Sequence, residues 1–518
     1  MTKENRNMAP IPQEKFEFAN TGDRISDKKF DDKPIGYFKD AWLRFRKNKA
    51  SIVAAIIILC IVLFAIFMPM LNFRYDSTFM DSYYAKKGPR NLFLSQFGIA
   101  EGTVNRDFNE RGYILSVATG VGADGYDGET VSADQVTDKY NPIRKLNSVK
   151  DNSVTKKTTY NASIDTYLEV GFLYIQIEQA EFEQIRAWET ETGLHVLYPL
   201  VANNEYCTDS TNANYWYRAD ARLNPVDENG NVMEYSEDMR LVDNYMRDAD
   251  GNPVYKVYAG GGSVDTAQYK VRILYYNYYV YRNGFEPEYI FGTDSQGYDL
   301  ALRMAIGIRL SLIVAVIVSA INFVIGAIYG AIEGYYGGTV DIVMERISDI
   351  LSGVPFIVVA TLFQIHLAQK VGPIPSLLFA FVLTGWLGTA SRVRTQFYRF
   401  KNQEYVMAAR TLGARDRRII WKHIFPNSLG TIITSSVLVI PGVIFNESML
   451  SFLGIVNLGG SKMTSLGTLL SDASSIWTNY PHLLLFPAII ISLLMICFNL
   501  FGNGLRDAFN PSLRGVEE

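Results

Sequence analysis

The sequence predicts a mainly α-helical membrane protein with six spans and one large α+β domain inserted after the first span. Three observations predict this fold class. Apolar residues make up 48% of the chain and are gathered in blocks long enough to cross a bilayer. The region from about residue 72 to 289 has no such block and is polar. A strongly basic segment lies between two later blocks, as is typical of a cytoplasmic loop.

Residues 1–49 are predicted to be a cytoplasmic tail and an interfacial helix. Residues 1 to about 38 are rich in Asp, Lys, Asn and Pro, and they have too few apolar side chains to fold alone. Residues 35–49 mix aromatic and basic side chains, which is typical of a helix lying on an anionic membrane surface.

Residues 50–71 are predicted to form the first membrane span. No charged residue occurs from Ser51 to Leu71, and a helix of that length reaches about 31 Å, which matches the hydrocarbon core of a bilayer. The basic residues before it indicate a cytoplasmic N-terminus, so the chain is expected to emerge outside the cell near Asn72.

Residues 72–290 are predicted to form an extracytoplasmic α+β domain, called the insertion below. The segments Asp227–Gly230 and Asp248–Gly251 each end in an Asn-Gly or Asp-Gly pair that favours tight turns. Tyr and branched residues from Val271 to Tyr281 predict a strand, and Glu178–Thr192 has the spacing of an amphipathic helix. Both turns are acidic, but neither has the twelve-residue loop of a calcium site, so ordinary turn chemistry is favoured.

Five further spans are predicted after Phe291. They run approximately over Leu310–Ile332, Asp341–Leu367, Pro375–Val393, Ser428–Leu453 and Leu483–Leu505. Together with the first span they make six, and an even number returns the C-terminus to the cytoplasm. The turn Gly334–Gly338 has no Lys or Arg and gives this orientation no support. Asp299 is expected to cap the helix that follows it.

Three residues within these spans are candidates for a translocation path. Pro355 interrupts a helix, and freed backbone groups in a membrane must be satisfied by neighbouring helices or by cavity water. Glu447, next to Asn446, lies in an apolar span where a charge costs roughly 2.5–3.5 kcal/mol. Glu447 is expected to face the interior of the bundle, where a structural hydrogen bond and a substrate contact are equally good explanations.

The basic segment from residue 394 to 426, called the basic loop below, is predicted to contain two short helices joined at Gly413. Glycine can end a helix in the left-handed conformation without a clash at Cβ. The small side chains of Ala408 and Ala409 leave room for a partner to approach the backbone. The segment carries Arg410, Arg415, Arg417, Arg418 and Lys422.

The spacing of Ala408-Ala409, Gly413 and His423-Ile424-Phe425-Pro426-Asn427 resembles the EAA loop of ABC importer permeases, in the form used by the dipeptide and oligopeptide transport family. Met407 stands where the motif has Glu. The resemblance implies a coupling loop that sits in a groove of an ATPase subunit. The residues expected to make that contact are Glu404, Ala408, Ala409, Arg410, Gly413, Arg417 and His423.

Further strings match the same family in order and spacing. They are Gly292–Asp299, Glu447–Gly454, Phe498–Asp507 and Asn510–Arg514. By this resemblance residues 291–514 form a five-helix core and residues 515–518 a short tail. The implied fold is a six-helix type I ABC importer permease with a large α+β extracytoplasmic insertion. The insertion exceeds the common family pattern, so the resemblance does not supply its role.

The resemblance implies a permease subunit of an ATP-driven importer for oligopeptides or dipeptides in the cell membrane. The implied partners are a homologous permease, two ABC ATPase subunits, an extracellular peptide-binding lipoprotein and membrane lipids. ATP and Mg²⁺ would bind the ATPase subunits, and no cofactor is expected on this chain. Three alternatives remain. The first is a secondary transporter driven by an ion gradient with Glu447 as its coupling carboxylate, and the second is the same architecture importing nickel or another small solute. The third is a sensor or structural membrane protein that uses its outer domain for binding, which would not require the spacing of the basic loop.

Composition and motifs argue against other functions. The sequence has no Gly-x-x-x-x-Gly-Lys-[Ser/Thr] motif, so the chain is not expected to be an ATPase or another enzyme. A net charge of −4 gives no basic footprint for nucleic acid. The histidines are His195, His366, His423 and His482, and the cysteines are Cys60, Cys207 and Cys497. Their separation predicts neither a metal centre nor a disulfide framework.

Overall fold

The structure is a computed structural model that describes residues 37–71, 75–76, 78–124, 139–152, 157–202, 213–214, 226, 229–232, 245–261, 267–460 and 463–509. The predicted N-terminal tail and the C-terminal residues from 510 onward lie outside the described residues, as does Cys207.

The described part of the chain contains long apolar helices and, after α2, a region that mixes strands with shorter helices. The helices are α1 (Tyr37–Lys47), α2 (Lys49–Leu71), α3 (Glu110–Asp124), α4 (Gln179–Thr192), α5 (Tyr275–Asn283), α6 (Leu300–Tyr336), α7 (Gly338–Ser352), α8 (Phe356–His366), α9 (Ala368–Val371), α10 (Pro373–Gly385), α11 (Leu387–Phe400), α12 (Glu404–Thr411), α13 (Asp416–Arg418), α14 (Phe425–Val437), α15 (Val439–Phe452), α16 (Leu466–Ala473) and α17 (Pro481–Phe509). The strands are β1 (Thr103–Asn109), β2 (Ile143–Asn152), β3 (Lys157–Asp165), β4 (Phe172–Glu178), β5 (Leu197–Tyr198), β6 (Lys256–Gly260) and β7 (Gln268–Leu274). A π-helical turn, Ile419–Ile424, joins α13 to α14.

Five helical stretches in the described residues are long and apolar enough to cross a membrane. They are Lys49–Leu71, Leu300–Tyr336, Pro373–Phe400, Asp416–Phe452 and Pro481–Phe509. A sixth is obtained if α7 and α8 count as one span, although they meet at a bend of 71°.

The predicted span over Asp341–Leu367 is broken between α7 and α8, and the interruption predicted at Pro355 is confirmed. Pro355 precedes the first residue of α8 and has an extended backbone with ψ of 125°. Proline has no N–H to donate, and it disfavours helical backbone in the residue before it. The helix therefore stops at Ser352 and starts again at Phe356 in a new direction.

The long helices pack into one apolar bundle. Helix α2 packs against α6 and α17, and α15 packs against α6. The buried centre includes Ile308, Ala315, Val318, Ala360, Leu377, Ala380, Ile444, Leu450 and Leu494. Large apolar side chains such as Ile56 and Ile313 are exposed on the outer faces of the bundle, as expected for helices whose solvent is lipid.

Helices α6 and α11 make an especially close contact along a row of glycines, Gly326, Gly330 and Gly334. A Cβ atom on Gly330 would lie 2.2 Å from the carbonyl oxygen of Ala390, and one on Gly334 would lie 2.8 Å from that of Arg394. Gly334 thus belongs to a helix contact rather than to the predicted turn. The turn is made by Gly337 and Gly338, which have φ of +65° and +57°.

The insertion contains two antiparallel sheets. One has the strand order β1-β3-β2, and the other has β4-β7-β5 with β6 also paired to β7. Helix α4 confirms the predicted helix at Glu178–Thr192. The Asp248–Gly251 turn is also confirmed, because Oδ1 of Asp248 accepts hydrogen bonds from the N–H groups of Asp250 and Asn252. In the other predicted turn, Asp227 and Glu228 lie outside the described residues.

The prediction of a strand from Val271 to Tyr281 is only partly correct. Strand β7 ends at Leu274, and helix α5 begins at the next residue. Tyr275 and Tyr279 are four residues apart and both are buried in a tyrosine-rich core, which a helix achieves because positions i and i+4 share a face. Burial of these two rings therefore outweighs the strand propensity of aromatic residues.

The two ends of the insertion meet in a paired segment, called the base below, that joins residues 79–90 to residues 289–299. Met80 pairs with Tyr298, and the N–H of Arg90 donates to the carbonyl oxygen of Tyr289 at 2.8 Å. Asp299 caps α6, as predicted, by accepting a 2.8 Å hydrogen bond from the N–H of Ala301. The chain consequently leaves the bundle and returns to it at one place.

Candidate functional site

The basic loop turns at Gly413, as the sequence predicts. Helix α12 ends at Thr411, and Gly413 has φ of +80°. The N–H of Gly413 donates to the carbonyl oxygen of Arg410, and that of Ala414 donates to the carbonyl oxygen of Ala409, each at 3.0 Å. A Cβ on Gly413 would have no atom within 4 Å, so only its left-handed backbone requires glycine here.

One apolar residue anchors α12 to the bundle. Val406 is fully buried and packs in a cluster that includes Phe397, Ile419 and Ile424. The opposite face of α12 is open, with Met407 56% exposed, and Leu412 at the turn is 88% exposed. Met407 and Leu412 together leave apolar surface open on the side of the loop that does not pack against the bundle.

The residues predicted to contact a partner all lie in this loop, and they fall into two groups by solvent exposure. Glu404, Ala408, Arg410, Gly413 and Arg417 are exposed, and Ala409 and His423 are half-buried. The backbone oxygen of His423 accepts a hydrogen bond from the Asn427 side chain at 2.8 Å. The structure thus places the five exposed residues on an open surface around the turn.

Two residues that sequence reasoning missed tie the basic loop to α6. The hydroxyl of Tyr335, near the end of α6, donates to Oδ1 of Asp416 at 2.6 Å. The guanidinium of Arg410 lies 5.9 Å from the centre of the Tyr335 ring. These partners are far apart in the sequence, and no local pattern pairs them.

A second connection between the basic loop and α6 is a cluster of charged side chains around Arg394, at the start of the loop. Its guanidinium Nε lies 2.6 Å from Oδ1 of Asp341 and 3.6 Å from Glu333, and it also pairs with Glu345. The hydroxyl of Tyr398 donates to Asp341 at 2.5 Å. This Arg394 cluster joins α11 to the end of α6 and to α7.

The carboxylates of the Arg394 cluster have the spacing of a metal site. Oxygens of Glu333, Asp341 and Glu345 lie within 4.8 Å of one another, the one such group in the described part of the chain. The guanidinium of Arg394 already pairs with all three. We therefore interpret the three carboxylates as partners of the Arg394 guanidinium, which can bind a carboxylate through two parallel hydrogen bonds, rather than as metal ligands.

Glu447 lies inside the bundle and is 1% exposed. Its carboxylate accepts hydrogen bonds from the hydroxyl of Ser311 on α6 at 2.7 Å and from that of Ser451 on its own helix at 3.1 Å. The sequence left open whether Glu447 makes a structural hydrogen bond or a substrate contact. The bond from Ser311 links α15 to α6 and is of the structural kind. Asn446 is half-buried beside it, and Pro355 is exposed at the bend between α7 and α8.

Two family models match the chain. Residues 324–515 match the model described as binding-protein-dependent transport system inner membrane component. Residues 36–89 match the N-terminal TM domain of oligopeptide transport permease C. The second match ends at the base, and residues 90–323 lie between the two matched segments.

Curated relatives are similar over the same parts. The chain is 41% identical over 225 residues to the oligopeptide transport system permease protein OppC of Bacillus subtilis, covering 43% of this chain and 72% of the relative. It is 46% identical over 231 residues to OppC of Haemophilus influenzae, covering 44% and 72%. It is 42% identical over 236 residues to the dipeptide transport system permease protein DppC of Lactococcus lactis, covering 45% and 67%.

Solved structures show a weaker similarity. An inward-facing crystal form of the MetNI methionine ABC transporter matches 40% of this chain and 96% of its own chain, at 16% identity and a TM-score of 0.33. An amino acid ABC transporter crystallised with histidines matches 39% of this chain and 91% of its own, at 14% identity and a TM-score of 0.31.

Proposed function

The chain belongs to the oligopeptide and dipeptide transport permease family, and from this premise we propose that it is the transmembrane subunit of an ATP-driven importer of oligopeptides or dipeptides. The identity of 41–46% to named permeases of both kinds, over as much as 72% of their length, supports the assignment. The family is the membrane component of a transporter and not its ATPase.

The basic loop is the proposed docking site for an ATPase. The observation that carries this proposal is the division of α12 into a buried anchor, Val406, and an open face that ends at the Gly413 turn. The proposed assembly contains this chain, a homologous permease, two ABC ATPase subunits and an extracellular peptide-binding lipoprotein. ATP and Mg²⁺ bind the ATPases, and this chain needs no cofactor.

Helix α6 is the proposed route by which ATP-driven movement reaches the rest of the bundle. The basic loop is attached to the C-terminal part of α6 through Tyr335–Asp416 and through the Arg394 cluster. Helix α6 has 37 residues, which span about 55 Å. Its other end carries the base. Movement of the loop would therefore tilt α6 as a rigid body and switch access across the bundle.

The proposed topology has six spans, with α7 and α8 together forming one broken span. Both termini lie in the cytoplasm, and residues 72–290 lie outside the cell. Residues 1–49 form the cytoplasmic tail and interfacial helix, residues 50–71 the first span, residues 291–514 the core, and residues 515–518 the tail. Pro355, Asn446 and Glu447 remain proposed path residues.

The docking proposal is tested by co-purification with P-loop ATPases and by substitution of Gly413. Gly413→Ala forces a Cβ residue into left-handed backbone at a cost of about 1–2 kcal/mol, although there is space for the side chain. We expect ATPase binding to persist while peptide uptake per ATP hydrolysed falls. Gly413→Asn is the control, because Asn tolerates this conformation better. Equal uptake per ATP in wild type and Gly413→Ala would show that the Gly413 turn has no role in coupling ATP hydrolysis to uptake.

The insertion is proposed to dock or guide the peptide-binding protein on the delivery side. Because Arg90 and Tyr289 are hydrogen-bonded, residues 92–287 can be replaced by a short Gly-Ser linker without separating the ends. The 225 matched residues make up 72% of the Bacillus relative. The shortened chain would therefore have nearly the same length as that relative. We expect it to assemble with ATPases and to lose peptide uptake. Normal uptake would reject the role of the insertion.

The alternative importers differ in energy source and cargo. Uptake that survives ATP depletion but stops with a protonophore would favour the ion-gradient transporter with Glu447 as its coupling carboxylate. A binding protein recovered with bound nickel or another small solute would replace the peptide by that cargo and leave the architecture unchanged.

A further inference from the structure

The insertion contains an open cavity of about 470 Å³ between strand β1 and helix α3. Residues Arg106–Asn109 of β1 line one side, and one face of α3 that includes Leu115 and Thr119 lines the other. This volume lies in the range of ligand-binding clefts. The cavity is called the β1–α3 groove below.

The groove runs along a sheet edge. Strand β1 is at the end of the order β1-β3-β2, and successive residues of a strand point to opposite faces. A cavity over one face would be lined by alternate residues of β1, whereas this one is lined by four in a row. The groove thus follows consecutive residues at the end of β1, and among the described strands only β3 pairs with β1.

The hydrogen-bond register shows which backbone groups face the groove. The N–H of Thr166 donates to the carbonyl oxygen of Gly102, and the register then pairs Arg106 with Ala162. Backbone groups in an antiparallel pair alternate between inward and outward directions. Residues 104, 106 and 108 therefore bond to β3, and Asn105, Asp107 and Asn109 direct their N–H and C=O groups outward.

Charged groups stand at one end of the groove. Arg106 pairs with Glu169, and its Nη1 donates to the hydroxyl of Tyr480 at 3.2 Å. The Nε of Arg106 is buried and lacks an acceptor among the described residues. Tyr480 immediately precedes α17. The groove thus offers both charge signs and ends beside the first turn of a membrane helix.

We propose that the β1–α3 groove binds the transported peptide in an extended conformation, as an added strand on β1. This inference rests on the proposed peptide-import function. Strand addition holds a ligand by its backbone, which suits a carrier that must accept many side chains. Four residues of β1 extend about 13 Å, so the groove holds about four peptide residues and directs them toward α17.

Photo-crosslinking in the assembled transporter tests this proposal. A photoreactive amino acid replaces Leu115 in the groove, and in a control it replaces Val149, an exposed residue on β2 at the opposite edge of the same sheet. The probe is isotope-labelled tetra-alanine. We expect a peptide adduct at position 115 and not at 149, which excess unlabelled peptide suppresses. An analogue N-methylated at alternate amides should form about tenfold less adduct, because it lacks ladder donors.

A backbone substitution tests the sheet edge itself. Asp107→Pro removes one outward N–H and keeps the ladder to β3, since proline is tolerated at the open side of an edge strand. Asp107→Ala removes the same carboxylate and keeps the N–H. We expect the proline variant alone to lose the adduct at 115.

Several results would overturn the groove proposal. These are equal adducts at positions 115 and 149, no adduct at 115, equal labelling by the N-methylated peptide, or an adduct to the binding protein instead of the peptide. Co-purification with ATPases is measured in every variant. Its failure in wild type would count against the proposed importer, whereas loss of the adduct with ATPases still bound would count against the groove alone.

Discussion

Tyr335 and Asp416 are joined by a 2.6 Å hydrogen bond from the phenolic hydroxyl to Oδ1, across 81 positions of the chain. Tyr335 is buried near the end of α6, and Asp416 is exposed as the first residue of α13. The bond therefore connects the open side of the basic loop to α6, the longest of the described helices. If the loop moves, either this bond breaks or α6 moves with it.

Replacement of Tyr335 by Phe should weaken coupling between ATP hydrolysis and uptake. The substitution keeps the ring packing and leaves Asp416 without its donor, at a net cost of about 1 kcal/mol. If the bond transmits movement, peptide imported per ATP should fall by about fivefold. Uptake and ATP hydrolysis are measured together in proteoliposomes.

The neighbouring tyrosine provides the matched control. Tyr336 is 53% exposed and touches the Tyr335 ring edge-on at a centroid distance of 5.2 Å. Tyr336→Phe should leave the ratio of uptake to hydrolysis unchanged. A similar fall in both variants would show that Tyr335–Asp416 has no special role.

Replacement of Gly330 by Val should destabilise the bundle. Its Cβ would lie 2.2 Å from the carbonyl oxygen of Ala390 and 2.9 Å from Cβ of Val393, so α6 and α11 must separate. Overpacking of this kind costs typically about 1–3 kcal/mol, and thermal unfolding in lipid nanodiscs measures it. Gly388→Val on α11 is the control, since a Cβ there meets nothing within 4 Å. Equal midpoints for the two variants would contradict the close α6–α11 contact.

Substitutions of Glu447 should separate its structural role from a substrate contact. Glu447→Gln keeps an acceptor for Ser311, and we expect uptake close to that of wild type. Glu447→Ala leaves the hydroxyls of Ser311 and Ser451 without that acceptor, which costs about 1–3 kcal/mol for a buried group. We expect a lower unfolding temperature in Ala only. Loss of uptake in a stable Gln variant would instead assign the charge to the path.

The stability of the insertion should depend on pH through Asp81. Burial raises the pKa of Asp81 above its ordinary value of 3.8, although the Tyr275 hydroxyl and the N–H groups of Tyr83 and Tyr84 donate to it. The folded state thus holds the proton more tightly than the unfolded state. This group's contribution to the free energy of unfolding falls as pH rises from 3.8 through the raised pKa.

Asp81→Asn should abolish this pH dependence, because Asn keeps an acceptor and cannot ionise. Thermal unfolding across the acid range should show the variant gaining stability over wild type as pH rises. Asp250→Asn, at an exposed turn, is the control and should follow the wild type. Parallel curves for Asp81→Asn and wild type would contradict the assignment.

Local chemistry predicts part of this architecture from the sequence. Gly413, Asp299 and the Asp248 turn are predictable because each depends on its own backbone and on neighbours within a few residues. Periodicity predicts α4 for the same reason. The boundary between β7 and α5 was missed, since it depends on where the buried Tyr275 and Tyr279 find their partners.

Long-range contacts of the candidate site are beyond such reasoning. Arg394 and Tyr335 are ordinary residues at the ends of apolar segments, and their importance comes from Asp341 and Asp416 on other elements. The presence of Glu447 in an apolar span does signal an interior position. Only the fold supplies Ser311 as its partner.

The meeting of Arg90 and Tyr289 at the base has a consequence for how the membrane part assembles. Helix α2 must find α6 across the intervening residues 72–299, and closing so long a connection is entropically unfavourable. Once the insertion is folded, the hydrogen bond between Arg90 and Tyr289 leaves only residues 72–90 and 289–299, about 30 residues, in the connection. Shortening the effective loop to that extent favours pairing of α2 with α6 by about 2 kcal/mol. The folded insertion thus prepares α2 to join the other long helices.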